Sequence, residues 1–130
     1  MKKILIFSFL MFGLSTYAQQ DDSRVEAAKK EFLIKEMELT PQEAEAFFPI
    51  YSEYNQKRKE ARKSLRAERK NMSGTSEGSI DKIIDMEQSL IDLQKEYLEK
   101  FRKVLPEKKI VLLIESEKKF KAMMMQRLKN

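Results

Sequence analysis

Apolar positions along this chain recur with the period of helices, and no stretch alternates apolar and polar residues in the period-two manner of a strand. Four segments carry the helical pattern. The first runs from Ser23 to about Met37. Its Ser23-Arg24-Val25-Glu26 start fits a capping box, in which the Ser hydroxyl accepts from the backbone three residues on and the Glu reaches back. The second opens on another such box, Thr40-Pro41-Gln42-Glu43, and continues to about Lys70. Its apolar face is Ala44, Phe47, Phe48, Tyr51 and Tyr54, narrowing to Ala61 and Leu65. The third, from about Ile80 to Lys103, carries two heptad rows side by side: Ile83, Leu90, Tyr97 and Val104, and Ile84, Ile91, Leu98 and Leu105. The fourth, from Pro106 to about Leu128, presents Ile110, Leu113, Ile114, Phe120, Met124 and Leu128.

The breaks between them are few. Asn71 to Ser79, with Gly74 and Gly78, is the only loop-like stretch of any length. Pro49 falls inside the second helix, where its ring crowds the Glu45 carbonyl and one hydrogen bond is lost, so a kink is expected. The short Leu105-Pro106 junction predicts an antiparallel hairpin of the third and fourth helices. The expected fold is therefore all-α: four helices, elongated, with a long kinked second helix. A core this narrow favours dimerisation.

Several polar residues lie on the apolar faces. Glu87 and Gln94 interrupt the third helix, Glu117 the fourth, and Arg58, Arg62 and Arg66 climb the face that Phe48 and Tyr51 begin. Unpaired buried charge is costly, so these groups should seek one another. Hairpins on both sides of the third helix would set Arg62 near Glu87 and Gln94 near Glu117. The expected polar layer is Arg58, Arg62, Glu87, Gln94 and Glu117, fixing register.

The beginning of the chain departs from this pattern. Lys2 and Lys3 precede an apolar run, Ile4 to Leu14, and Thr16-Tyr17-Ala18 supplies small residues at −3 and −1 of a cleavage site. The run is shorter than the roughly 20 residues that span a bilayer. Residues 1–18 are expected to be a cleaved signal peptide and 19–130 a single exported domain. With no Cys after the apolar run, no lipoprotein anchor is expected. Loss of Lys2 and Lys3 leaves 24 of the 26 basic residues against 21 acidic ones. That excess is mild and calls for no nucleic acid.

Composition then narrows the chemistry. The chain has no His and no Cys, which removes thiol nucleophiles, imidazole bases, Ser-His-Asp triads, disulfides and the usual zinc sites. No Gly-rich phosphate loop is present, and Asp21-Asp22 alone makes no hard-metal site. Met123-Met124-Met125 carries thioether sulfurs suited to Cu(I), but consecutive helical residues point 100° apart and cannot converge on one ion. The expectation is a non-enzyme without cofactor or metal.

What remains is surface. Residues 57–70 hold Lys57, Arg58, Lys59, Arg62, Lys63, Arg66, Arg69 and Lys70 against Glu60 and Glu68. Such a strip is either a solvated face or a docking strip for acidic or unfolded chains, to which Arg and Lys stems also offer apolar surface. Leu112 and Met123 point away from the core face of the fourth helix, toward a second copy or a client. The candidate contact residues are Arg58, Arg62, Lys63, Arg66, Leu112 and Met123.

Leu39-Thr40-Pro41-Gln42-Glu43, followed by Phe48-Pro49-Ile50-Tyr51 and Tyr54, resembles the Spy/CpxP-like periplasmic proteins marked by LTxxQ motifs. A weaker copy appears at Val104-Leu105-Pro106-Glu107-Lys108. The motif positions are Leu39, Thr40, Pro41, Glu43, Pro49, Tyr51, Leu105 and Pro106. Glu43 stands where the motif has Gln, and the second copy lacks both Thr and Gln. The chain is also similar to family members described as sensors of extracytoplasmic-function sigma factors. The resemblance implies a bent, cradle-shaped helical dimer in the periplasm that shields unfolded envelope proteins without ATP. An alternative it allows is a regulatory partner of a sigma/anti-sigma pair. Metal-sensing relatives use His-containing sites, which this chain does not have.

Overall fold

The computed structural model describes residues 16–72 and 77–129. The expected signal peptide lies largely outside them, as does the centre of the 71–79 loop. Four helices make up the described chain: α1 (Thr16–Glu36), α2 (Pro41–Asn71), α3 (Glu77–Arg102) and α4 (Glu107–Lys129). Among the described residues there is no strand. The all-α, four-helix expectation holds, with most boundaries within one to three residues of those read from sequence.

The exception is the start of α1. The helix already runs through Ser23, so the capping box expected there does not begin it. Tyr17 to Asp22 contains no Gly or Pro, and the helix extends back through it without a breaker. At its other end α1 stops by a Schellman arrangement. Glu38 adopts a left-handed backbone, φ 52°, while its N–H donates to the Lys35 carbonyl at 3.3 Å and that of Leu39 to Ile34 at 3.1 Å.

Two residues later α2 begins as expected. The Thr40 hydroxyl accepts from the Glu43 N–H at 3.1 Å, the Glu43 carboxylate accepts from the Thr40 N–H at 3.0 Å, and Pro41 occupies the first turn. The helix then runs unbroken through Pro49, which is exposed.

α2 and α3 pack antiparallel along an aromatic seam. Phe47 lies 5.2 Å from Phe101 between ring centroids, and Tyr54 stacks on Tyr97 at 5.1 Å. Farther out, Lys82 pairs with Glu68 at 3.2 Å and Arg69 with Glu87. The partner of α4 is α1, not α3. Phe120 meets Phe32 at 5.5 Å, and Lys119 meets Glu36 at 3.2 Å. The expected α3–α4 hairpin is thus reduced to contacts near the junction, where Leu105 donates to Phe101 at 2.9 Å and Arg102 holds both carboxylate oxygens of Glu107 at 3.2 Å.

The cause is the apolar face of α1. Leu33 and Met37 are fully buried, and Ile110 and Leu113 of α4 belong to the same core. On α3 the face with Tyr97 and Phe101 is taken by α2. Only the lower half of its second heptad row packs, Leu98 and Leu105 against the core, while Ile84 and Ile91 have no cover and stay exposed although the heptad pattern set them beside the core.

Candidate functional site

α1, α2 and α4 converge on one carboxylate. Glu117 Oε2 accepts from Arg58 Nη2 at 2.7 Å and from the Tyr51 hydroxyl at 2.9 Å, with Lys29 Nζ at 3.5 Å. Each residue reaches the site because it interrupts an apolar row. Lys29 stands one turn before Leu33 and two before Met37, Glu117 lies between Leu113 and Phe120, and Arg58 is one turn past Tyr54. Arg58 is held further by Asn55 Oδ1 at 2.6 Å, and its guanidinium sits 4.6 Å from the Tyr54 ring centroid.

Burial raises the Glu117 carboxyl, but the Arg58 hydrogen bond and the charges of Arg58 and Lys29 outweigh it, and the net shift is downward. For Lys29 burial prevails over the pull of Glu117, and its ammonium is held below the usual lysine range. Burial also pushes the Tyr51 hydroxyl up, reinforced by the Glu117 charge. Arg58 is buried too, yet its bond to Glu117 strengthens its charged form.

Beside this cluster a groove opens between α1 and α2. One part, about 360 Å³, is lined by Glu26, Ala27, Lys29, Lys30, Phe48, Tyr51, Ser52, Asn55 and Gln56. Its continuation, about 410 Å³, adds Val25, Arg58, Lys59, Arg62, Arg66 and Phe120. The two share Glu26, Lys29, Asn55 and Gln56. Aromatic rings form part of the lining, and cations cover them: Lys29 lies 5.2 Å from the Tyr51 centroid and Lys30 5.1 Å from that of Phe48. Six cations against Glu26, with Glu117 already engaged, leave the groove strongly basic. Such a surface can hold carboxylates and the apolar flanks of an extended or helical segment together.

The residues singled out in the sequence are therefore divided. Arg58, Arg62 and Arg66 share one wall of this groove. Lys63 is exposed and outside it, Leu112 is half-buried against the core, and Met123 is exposed on α4. The expected five-residue polar layer does not form. Arg58 and Glu117 meet, but Arg62 and Gln94 are exposed, and Glu87 pairs with Arg69 on the surface. With α4 placed on α1, Glu117 is carried away from Gln94 and toward Lys29. Met124 is half-buried and Met125 exposed, so the Met run is split between environments.

Of the motif positions, Leu39, Tyr51 and Leu105 are buried, Thr40, Pro41 and Glu43 build the helix start, and Pro106 accepts from Lys109 at 3.0 Å to open α4. Lys109 then clamps that start by donating to the Glu38 carbonyl at 2.9 Å and to Glu43. The Lys109 bond, first, and the Thr40 N–H hold the Glu43 carboxyl below its ordinary range. Of these positions Tyr51 also lines the groove, and the others shape the core and the helix starts. The roles of Lys29 and Lys109 were missed from sequence, although Lys29 was detectable as a cation in line with Leu33 and Met37.

Compared with family models, curated proteins and solved structures, this chain finds no match.

Proposed function

We propose that this protein is an ATP-independent envelope chaperone or adaptor, which holds segments of other polypeptides weakly and reversibly in the groove between α1 and α2. The observation that carries the reading is the groove itself: open, long, part-aromatic, and walled by Arg58, Arg62 and Arg66 opposite Lys29 and Lys30. An unfolded chain offers mixed apolar and acidic surface, and this lining suits both. The N-terminal signal pattern supports action in the periplasm, and the LTxxQ-like Leu39 to Glu43 segment supports kinship with the Spy/CpxP-like proteins. We read the protein as a binder.

Light scattering tests this directly. Purified protein should suppress aggregation of a chemically denatured test protein at near-equimolar ratio, and Arg62→Glu with Arg66→Glu should abolish the effect while leaving helicity intact. No suppression by the wild-type protein would end the chaperone reading. Recovery of one stoichiometric envelope partner, dependent on the same two arginines, would instead establish a regulatory adaptor.

A further inference from the structure

The outer side of distal α4 carries one sign of charge. Residues 118–129 hold Lys118, Lys119, Lys121, Arg127 and Lys129, and no Asp or Glu. With 3.6 residues per turn, Lys118, Lys121, Ala122, Met125, Leu128 and Lys129 fall on one side of the helix, in a sector of about 100°. All six are exposed, Met125 at 54% and Leu128 at 86%. Lys119, off this side, is taken by Glu36 at 3.2 Å, whereas Lys118, Lys121 and Lys129 hold no carboxylate among the described residues. The ridge they form is about 17 Å long at 1.5 Å per residue. Toward the base of α4 the first exposed anion is Glu115, since Glu117 faces inward to Arg58. The groove between α1 and α2 meets α4 at Phe120, on the opposite side from this ridge.

We propose that this ridge docks on the surface of an anionic phospholipid bilayer, with distal α4 lying in the interface. Among the described residues no helix is long and apolar enough to cross a membrane, and a contact of this kind requires none. Met125 and Leu128 enter the acyl boundary, while the lysine stems run beside them and lift their ammonium groups to the headgroup phosphates. The side chains favour a lipid surface over a folded protein. Lysine is a point charge on a flexible stem, suited to a diffuse layer of phosphates. Arg127, whose planar fork would fit a fixed carboxylate, points to the other side of the helix. α3 supplies the contrast. Its exposed Ile80, Ile84 and Ile91 are flanked by Asp81, Asp85 and Asp92, which an anionic surface repels. Of the two exposed apolar faces, the membrane attracts one and rejects the other. Each Lys near such a surface strengthens binding about fivefold, so three of them with two apolar side chains give a reversible contact. The α1–α2 groove stays open when the ridge is docked, and the proposal stands apart from the binding reading above.

Vesicle sedimentation with the purified protein tests the contact. Vesicles of phosphatidylglycerol mixed equally with phosphatidylcholine should be bound about tenfold or more tightly than vesicles of phosphatidylcholine alone. Salt at 1 M should remove that preference, as the Debye length falls to about 3 Å. Lys118→Gln with Lys121→Gln should weaken binding to the mixed vesicles about 25-fold, about fivefold for each, with far-UV helicity retained because both sites are exposed. The sequence has no Trp, so a single introduced indole reports its own surroundings. Leu128→Trp emission should move to the blue on the mixed vesicles, and Ile84→Trp emission should not. Absence of binding, equal binding to both vesicle types, indifference to the lysine substitutions, or a blue shift at position 84 without one at 128 would each overturn the proposal. So would a blue shift of Leu128→Trp that grows with protein concentration in the absence of lipid, which would assign the ridge to a second copy of the chain.

Discussion

Glu117 draws three donors from two other helices onto a single oxygen, and its removal tests how far that contact holds the helices together. Replacing it with Gln leaves Arg58 and Lys29 near-buried without their anion. Such a loss costs roughly 3–5 kcal/mol in a fully buried setting. Here the Glu117 side chain is 22% exposed, so the expected cost is about 2 kcal/mol in urea unfolding. The pH dependence follows from the direction of the shift. The folded carboxyl titrates below its ordinary 4.5, so the folded state binds fewer protons than the unfolded state in that window. The stabilisation is present above that value and is lost as the pH falls through the lower, folded one. Glu117→Gln should flatten the acid limb of a stability profile; an unchanged limb would assign it to other carboxylates. Lys29, also lowered, contributes at the opposite end: its buried charge is a cost relieved as the pH rises through its folded value. Tyr97 presents the converse case. Its hydroxyl is buried without a hydrogen-bond partner among the described residues. It lies close enough to Glu53 to lower that carboxyl, but outside hydrogen-bonding geometry. Tyr97→Phe keeps the ring against Tyr54 and Phe101 and removes an unmet polar group, so stability should stay level or rise by up to about 1 kcal/mol.

At the scale of the element, the link from α1 to α2 shows local sequence rules obeyed at one end and broken at the other. Thr40 and Glu43 cap α2 as their spacing predicts, and Thr40→Ala should cost about 1 kcal/mol. Glu38, two residues earlier, occupies a left-handed position that Gly fills at little cost. Glu38→Gly should relieve that conformation while adding freedom to the unfolded chain, for a net gain of about 0.5 kcal/mol by thermal unfolding. A loss instead would mean that the freedom Gly gives the unfolded chain outweighs the backbone strain it relieves, since the Glu38 carbonyl that Lys109 holds is kept. The four helices were legible because each carries its own periodicity and punctuation. Which helix packs on which was not. Loop length suggested that α4 should fold back on α3, but the buried face of Leu33 and Met37 on α1 competes for the same residues, Ile110, Leu113 and Phe120. Periodicity tells which face of a helix is apolar but does not name the helix that covers it.

Over the whole molecule, that one misplaced pairing decides what of the site could be foreseen. Arg58, Arg62 and Arg66 stood out as a stripe, and they do share a wall. The opposite wall, Lys29 and Lys30, could be known only once α1 was placed across from α2. The groove so formed makes a quantitative demand on binding. If its cations attract acidic chain segments, the attraction must weaken as the Debye length shrinks from about 10 Å at 0.1 M salt to about 3 Å at 1 M. Arg62 and Arg66 are exposed and fully open to that screening, whereas Arg58 is bonded to Glu117 and shielded by the Tyr54 ring. An acidic, partly apolar peptide should therefore bind about tenfold more weakly at 1 M than at 0.1 M salt in fluorescence anisotropy. Arg62→Glu with Arg66→Glu should remove most of the salt dependence along with the affinity. A peptide of the same apolar content without acidic residues should bind weakly and independently of salt. Equal binding of both peptides at every salt concentration would transfer the interaction from the charged walls to Phe48, Tyr51 and Phe120 in the lining.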